Sequence, residues 1–216
     1  MSDEGFASVI LDVDSTLCGL EGIDWLAERH GGATGAQVVE LTDRAMRGDI
    51  ALDAVYGERL ALVHPNRDEI AALADAYAAS VAPQAAYAIL RMRAAGKRIV
   101  LVSGGVREAI LPIAERLGIP SRDVRAVSVR FDAEGAYAGF DTSCPLTTAT
   151  GKRAVAESLA LPRRILAVGD GATDLAMRPA VDAFAAYTGF ARREAVVNSA
   201  DVVLASFDQL MELVLA

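Results

Sequence analysis

At 216 residues and 53% apolar composition, the chain can build one substantial core with a smaller appendage, but not two full-size domains. Its formal net charge of −8 argues against nucleic-acid and anionic-membrane partners and means that an anionic ligand needs local cations. Two cysteines (Cys18 and Cys144), an acidic start without a secretion signal, and no apolar run near the roughly 20 residues of a membrane span lead us to expect a soluble, cytoplasmic, reduced protein.

In chain order, the apolar runs FASVILDV (6–13), KRIVLVS (97–103), RRILAVGD (163–170), DAFAAY (182–187) and ADVVLAS (200–206) read as buried strands. Helical periodicity separates most of them, and that alternation predicts an α/β fold with a parallel sheet covered on both faces. Between the first two strands, from about Glu21 to Ser80, the pattern is helical and strand-free, with breaks expected at HGGATG, RGD and HPNR. This predicts a small helical bundle inserted as a cap over the sheet edge, residues 18–80, on a core of residues 1–17 and 81–216. The segment VSVRFDAEGAYAGFD (127–141) alternates apolar and polar residues around a turn and predicts a β-hairpin excursion. A helix is expected over 105–117, with Pro112 awkwardly inside it.

In parallel sheets, active sites lie outside the carboxyl ends of the strands. Asp12 and Asp14 stand at such an end, and like charges this close need a cation or a shared proton. A hard divalent ion such as Mg²⁺ supplies the first, and a general acid beside a nucleophile uses the second. Asp170 and Asp174, in LAVGDGATDLAM, follow another strand among glycines, and the loop lacks the oxygen ligands of a calcium site. In LVSGGVRE, Ser103, Gly104 and Gly105 lead into a helix, where a hydroxyl and backbone N–H groups can meet an anion. Lys152 opens a further helix, a position that disfavours a cation unless an anion sits nearby. Arg59 shares an apolar helical face with Leu52, Val55, Tyr56 and Val63, where an arginine usually snorkels to water. His30 and His64 have no partner spacing for a metal or a triad and are read as structural.

D-x-D-x-T, S-G, K and G-D-G-x-T-D, in that order over nearly the whole chain, resemble the haloacid dehalogenase superfamily. The shorter matches EGIDWLA, RAM, ERLAL, SGG, AGFD and GK are similar to its phosphoserine phosphatase family. The resemblance implies a doubly wound, Rossmann-like core and Mg²⁺-dependent hydrolysis of O-phospho-L-serine, the last step of serine biosynthesis, through an aspartyl phosphate. It further implies Asp12 as nucleophile and Asp14 as acid and base. Mg²⁺ would be held by Asp12, Asp14 and Asp170, with Asp174 behind them, and phosphate by Ser103, Gly104 and Lys152. Substrate contacts would come from Glu21 to the ammonium, Arg59 to the carboxylate, and Met46, Gly105 and Thr173. Arg47 after Met46 departs from the family pattern and could shift substrate preference. Rival readings are a phosphatase for another small monoester such as phosphothreonine, a phosphotransferase, or a receiver-type phosphoacceptor module. The partner in the favoured reading is a small phosphorylated amino acid, with monomer and homodimer both open.

Overall fold

A computed structural model of the chain describes residues 5–46, 50 and 52–216. Its elements in chain order are β1 (Ser8–Leu11), α1 (Gly22–His30), α2 (Gly32–Met46), α3 (Leu52–Val63), α4 (Arg67–Ala79), α5 (Ala85–Ala94), β2 (Arg98–Val106), α6 (Arg107–Arg116) and β3 (Val124–Val127). They continue with β4 (Val129–Phe131), β5 (Tyr137–Phe140), α7 (Gly151–Ser158), β6 (Ile165–Gly169), α8 (Ala172–Leu175), β7 (Ala183–Tyr187), α9 (Glu194–Val197), β8 (Val202–Leu204) and α10 (Phe207–Leu215).

Six strands form one sheet in the order β3-β2-β1-β6-β7-β8, and every neighbouring pair is parallel. Both β1 and β6 are buried along their whole length, which is why they read as unbroken apolar runs. The chain winds outward from β1 to β3 on one side and from β6 to β8 on the other, so the strand order reverses between β1 and β6. Ligands of doubly wound sheets bind at that crevice. Leu11 pairs with both Leu101 and Val168, so the residues after it, Asp12 onward, emerge level with the ends of β2 and β6.

All five sequence-predicted strands are present. The sheet also holds β3, which the sequence reading merged into the following hairpin. This edge strand has only four residues, carries the exposed Arg125, and is separated from β4 by Ser128 alone, so no turn signal divides the two. The hairpin itself, β4 with β5, is antiparallel as expected, and its turn is closed by the Ala136 N–H donating to Asp132 Oδ1 at 2.8 Å. Pro112 does lie inside α6.

The predicted insertion consists of α1 to α4. The break expected at HGGATG narrows to Gly31, whose φ of 61° ends α1. The break at RGD falls on residues 47–49, outside the described residues. At HPNR, Asn66 and Glu69 form a reciprocal capping box, Asn66 Oδ1 accepting from the Glu69 N–H at 2.9 Å and Glu69 Oε2 from the Asn66 N–H at 2.8 Å. That cap starts α4, whose buried stripe Ile70, Leu73, Ala74 and Tyr77 follows the i, i+3, i+4, i+7 rule. These side chains join a hydrophobic cluster that runs continuously into the sheet residues. The hairpin is tied to the same helix: the Arg67 N–H donates to the Gly135 carbonyl at 2.9 Å, and the Arg67 guanidinium lies over the Phe131 ring. Among the described residues no helix is long and apolar enough to cross a membrane.

Candidate active site

Asp12 leaves β1 with its N–H donating to the Val168 carbonyl at 3.0 Å, which pins it to the end of β6. The next residues turn tightly, the Cys18 N–H returning to the Val13 carbonyl at 2.9 Å and Ser15 taking φ 53°. This turn holds Asp14 beside Asp12 without letting either drift to solvent. From β6 the chain enters the loop of Asp170, and Asp174 turns back from α8 to accept from the Gly171 N–H at 3.0 Å. Gly169 makes that return possible, since a Cβ there would lie 2.2 Å from the Asp174 carboxyl carbon.

Carboxylate oxygens of Asp12, Asp170 and Asp174 lie within 4.8 Å of one another, and all three residues are buried. Lys152, in the first turn of α7, donates to Asp12 Oδ1 at 2.5 Å and to Asp174 Oδ1 at 2.6 Å. These two carboxylates are the anions its unfavourable helix position called for. Burial works against the Lys152 ammonium, yet the two aspartates hold its pKa above the ordinary lysine range. Burial and the neighbouring Asp174 charge push Asp12 well above the usual carboxylate range, and burial raises Asp174 against the pull of Lys152. Asp14 is raised to about 7 by burial and then by the Glu21 charge, although Tyr77 donates its hydroxyl to Asp14 Oδ1 at 2.5 Å. A pKa raised toward neutrality suits a group that both gives and takes a proton.

These groups open into a cavity of about 460 Å³ lined from both the sheet edge and the inserted helices. The sheet edge supplies Asp12, Asp14, Ser103, Gly104, Lys152, Asp170, Thr173 and Asp174, and the helical segment supplies Glu21 and Arg59. Glu21 stands at the start of α1 but does not cap it; it accepts from Ser15 Oγ at 2.7 Å. Arg59 on α3 does not snorkel outward but pairs with Asp24 at 2.5 Å. Gly105 is not among the lining residues; a Cβ there would crowd Ser103 Oγ, Tyr77 Oη and Asp14 Oδ2 at 3.1–3.2 Å, so it allows close packing beneath the site. The side chain of Met46, and Arg47, lie outside the described residues.

Three functional neighbours escaped the sequence reading. Arg193, in the loop after β7, donates to Asp170 Oδ2 at 2.8 Å and approaches Glu21 at 3.6 Å. Its signal was available, because it follows a predicted strand on the carboxyl side. Tyr77 and Asp24 gave no distinguishing signal, since an aromatic on an apolar stripe and an acid in a first helical turn are ordinary.

Among the described residues, six carboxylates and three cations line the cavity. Such a place admits a doubly charged anion only with added positive charge and a proton on one acid. The donor set, three buried carboxylates, suits a hard divalent cation bound through oxygen.

Comparison with known proteins agrees with this geometry. Residues 9–179 match the family model described as haloacid dehalogenase-like hydrolase. The chain is 35% identical to the chloroplastic phosphoserine phosphatase of Arabidopsis thaliana, over 94% of this chain and 70% of that protein. It is 34% identical to the phosphoserine phosphatase of Homo sapiens, over 94% and 91% respectively. The crystal structure of a phosphoserine phosphohydrolase-like protein from Francisella tularensis subsp. tularensis SCHU S4 superposes with a TM-score of 0.84 at 26% identity, covering 96% of this chain and 99% of that one.

Proposed function

The chain belongs to the haloacid dehalogenase-like hydrolases, and we propose that within them it hydrolyses O-phospho-L-serine to L-serine and phosphate, with Mg²⁺ as its metal. The observation that carries this reading is the meeting in one cavity of two kinds of group. A buried carboxylate cluster with its lysine comes from the sheet edge, and a carboxylate and an arginine come from the helices above it. A phosphorylated amino acid presents the matching charges: a phosphate below, an ammonium for Glu21 and a carboxylate for Arg59.

In this reading residues 18–80 serve as a cap over the core of residues 1–17 and 81–216, and the cap excludes water from the reacting groups. The Asp12 carboxylate, the Asp14 carbonyl and Asp170 would hold Mg²⁺, with Asp174 fixing the loop behind them. Held there, Mg²⁺ would supply positive charge to offset the negative charge of Asp12 and of the phosphoryl oxygens. Ser103, the Gly104 N–H and Lys152, all from residues lining the cavity, would bind the phosphoryl oxygens, and Lys152 already reaches Asp12. Asp12 attacks phosphorus in line, the bond from phosphorus to the seryl oxygen breaks, and the Asp14 proton passes to that oxygen. Serine leaves, Asp14 then takes a proton from water, and the water oxygen attacks the phosphoaspartate, restoring Asp12 and releasing phosphate. An Asp14 poised near 7 suits both halves of this cycle. Unpaired Cys18 and Cys144 support a reducing, cytoplasmic setting.

The test is kcat/KM for phosphate release from L-phosphoserine against phosphothreonine, a sugar phosphate and an aryl phosphate, with Mg²⁺ present and Asp12→Asn as the blank. Phosphoserine is expected to lead. Arg59→Ala and Glu21→Gln should each cost it roughly 10–100-fold, the worth of a hydrogen bond to a charged group, while sparing the aryl phosphate. A flat panel or another leader would keep the mechanism and reassign the substrate.

A further inference from the structure

Tyr56 and Arg59 stand three residues apart on one face of α3, and both line the cavity. Asp24 engages Arg59 through Nη2. Beside that pair, the Tyr56 hydroxyl and the Arg59 Nε–H are sealed from solvent and have no hydrogen-bond partner among the described residues. Buried polar groups are almost always paired, so two orphans together on one cavity wall need a cause. Rotation to water is not available to Tyr56: it is 5% exposed, and its ring packs edge-on against Phe140 with centroids 5.5 Å apart.

Both orphans are donors. A guanidinium cannot accept, and a phenol held neutral has a proton to give. Burial keeps Tyr56 neutral by raising its pKa far above the ordinary tyrosine value. The nearby carboxylates are engaged elsewhere: Asp24 with Arg59, Asp14 with Tyr77 and Glu21 with Ser15. With no acceptor for either donor among the described residues, the partner is sought in a ligand of the cavity that both residues line, one with enough lone pairs for two donors.

We propose that the Tyr56 hydroxyl is a specificity-determining contact, donating with Arg59 Nε–H to the carboxylate of the substrate. The proposal rests on the reading of the chain as a phosphatase of phosphorylated amino acids, and it adds to the arginine a neutral donor that recognises the same group.

The test is Tyr56→Phe, which removes the hydroxyl and keeps the ring on Phe140. Kinetics are compared on L-phosphoserine and on O-phosphoethanolamine, which retains the phosphate and ammonium and lacks only the carboxylate. The expected result is a roughly tenfold rise in KM for phosphoserine with kcat within about twofold, and unchanged constants for phosphoethanolamine. The ligand-free variant should melt no lower than the wild type, since an unpartnered hydroxyl contributes nothing to the empty fold. Equal losses on both substrates, an unchanged phosphoserine KM, or a lower melting temperature without ligand would each overturn the assignment. A wild type that fails to prefer phosphoserine over phosphoethanolamine overturns the underlying substrate reading and this assignment with it. A wild-type preference that survives intact in Tyr56→Phe overturns the Tyr56 assignment alone.

Discussion

Asp14 carries the sharpest prediction at the level of a single side chain. It is the group whose pKa burial and the Glu21 charge bring to about 7, and Tyr77 fixes its carboxylate by a hydrogen bond from the end of α4. Asp14→Asn keeps the shape and hydrogen-bonding capacity of the side chain but can neither give nor take the proton. The expected loss in kcat is about 10²–10⁴-fold, the usual share of general acid–base catalysis, with the melting temperature little changed; steady-state phosphate release and a thermal melt check both halves. Asp12, Asp14, Lys152, Asp170 and Asp174 could be read from the sequence because each follows a strand or opens a helix, and Ser103 because it stands near the carboxyl end of β2; the strand-end rule turns such positions into a site. Tyr77 could not. Its contact with Asp14 spans 63 residues of chain, and its own surroundings are those of a core aromatic. Arg59 and Glu21 lay between these cases, because their residue types fit a bland role equally well until the cavity brought them to face the carboxylates.

The loop from β6 into α8 shows how an element, more than any one side chain, sets the geometry of the acids. Its close return brings Asp174 back over Gly169, and a methyl group at that point would meet the Asp174 carboxyl carbon at 2.2 Å and Oδ2 at 2.5 Å. Because the obstacle is a side chain held by Lys152 and the Gly171 N–H, it cannot move without losing those bonds. Gly169→Ala is therefore expected to cost about 1–3 kcal/mol, as overpacking does. For a chain of this size that amounts to roughly 2–4 °C of melting temperature per kcal/mol. The Mg²⁺ concentration needed for half-maximal activity should rise roughly 10–100-fold, the usual effect of disturbing a group behind the metal ligands. A variant with wild-type metal demand and stability would mean that the loop relaxes without the acids noticing. At this scale the strands buried on both faces were easy to read because nothing polar interrupts them, and the helical insertion stood out by its length. By contrast β3, short, at an edge and carrying a charge, merged with its neighbour.

For the whole molecule the governing quantity is charge. A chain with net charge −8 gathers, among its described residues, six carboxylates and three cations around a cavity read as taking a phosphate dianion. Asp12 just after β1 and Asp170 and Asp174 beyond β6 come from chain segments some 160 residues apart, yet their oxygens lie within 4.8 Å. Lys152 and Arg193 pair with these acids, and burial raises the pKa values of Asp12 and Asp174. A divalent ion that binds only when the two segments are assembled stabilises the native state by mass action, by about 2.7 kcal/mol at 100 times its dissociation constant. At 2–4 °C per kcal/mol, Mg²⁺ should raise the melting temperature by roughly 5–10 °C over the protein in EDTA. Activity should vanish in EDTA and return with Mg²⁺, while Asp170→Asn should lose most of the thermal shift. Cations of the wrong size separate a metal site from simple screening: Na⁺ at matched ionic strength relieves repulsion only weakly among buried groups and should leave the melting temperature almost unmoved. If Na⁺ reproduced the Mg²⁺ shift, the acids would be responding to ionic strength, and the case for a metal bridging the two halves of the sheet would fail.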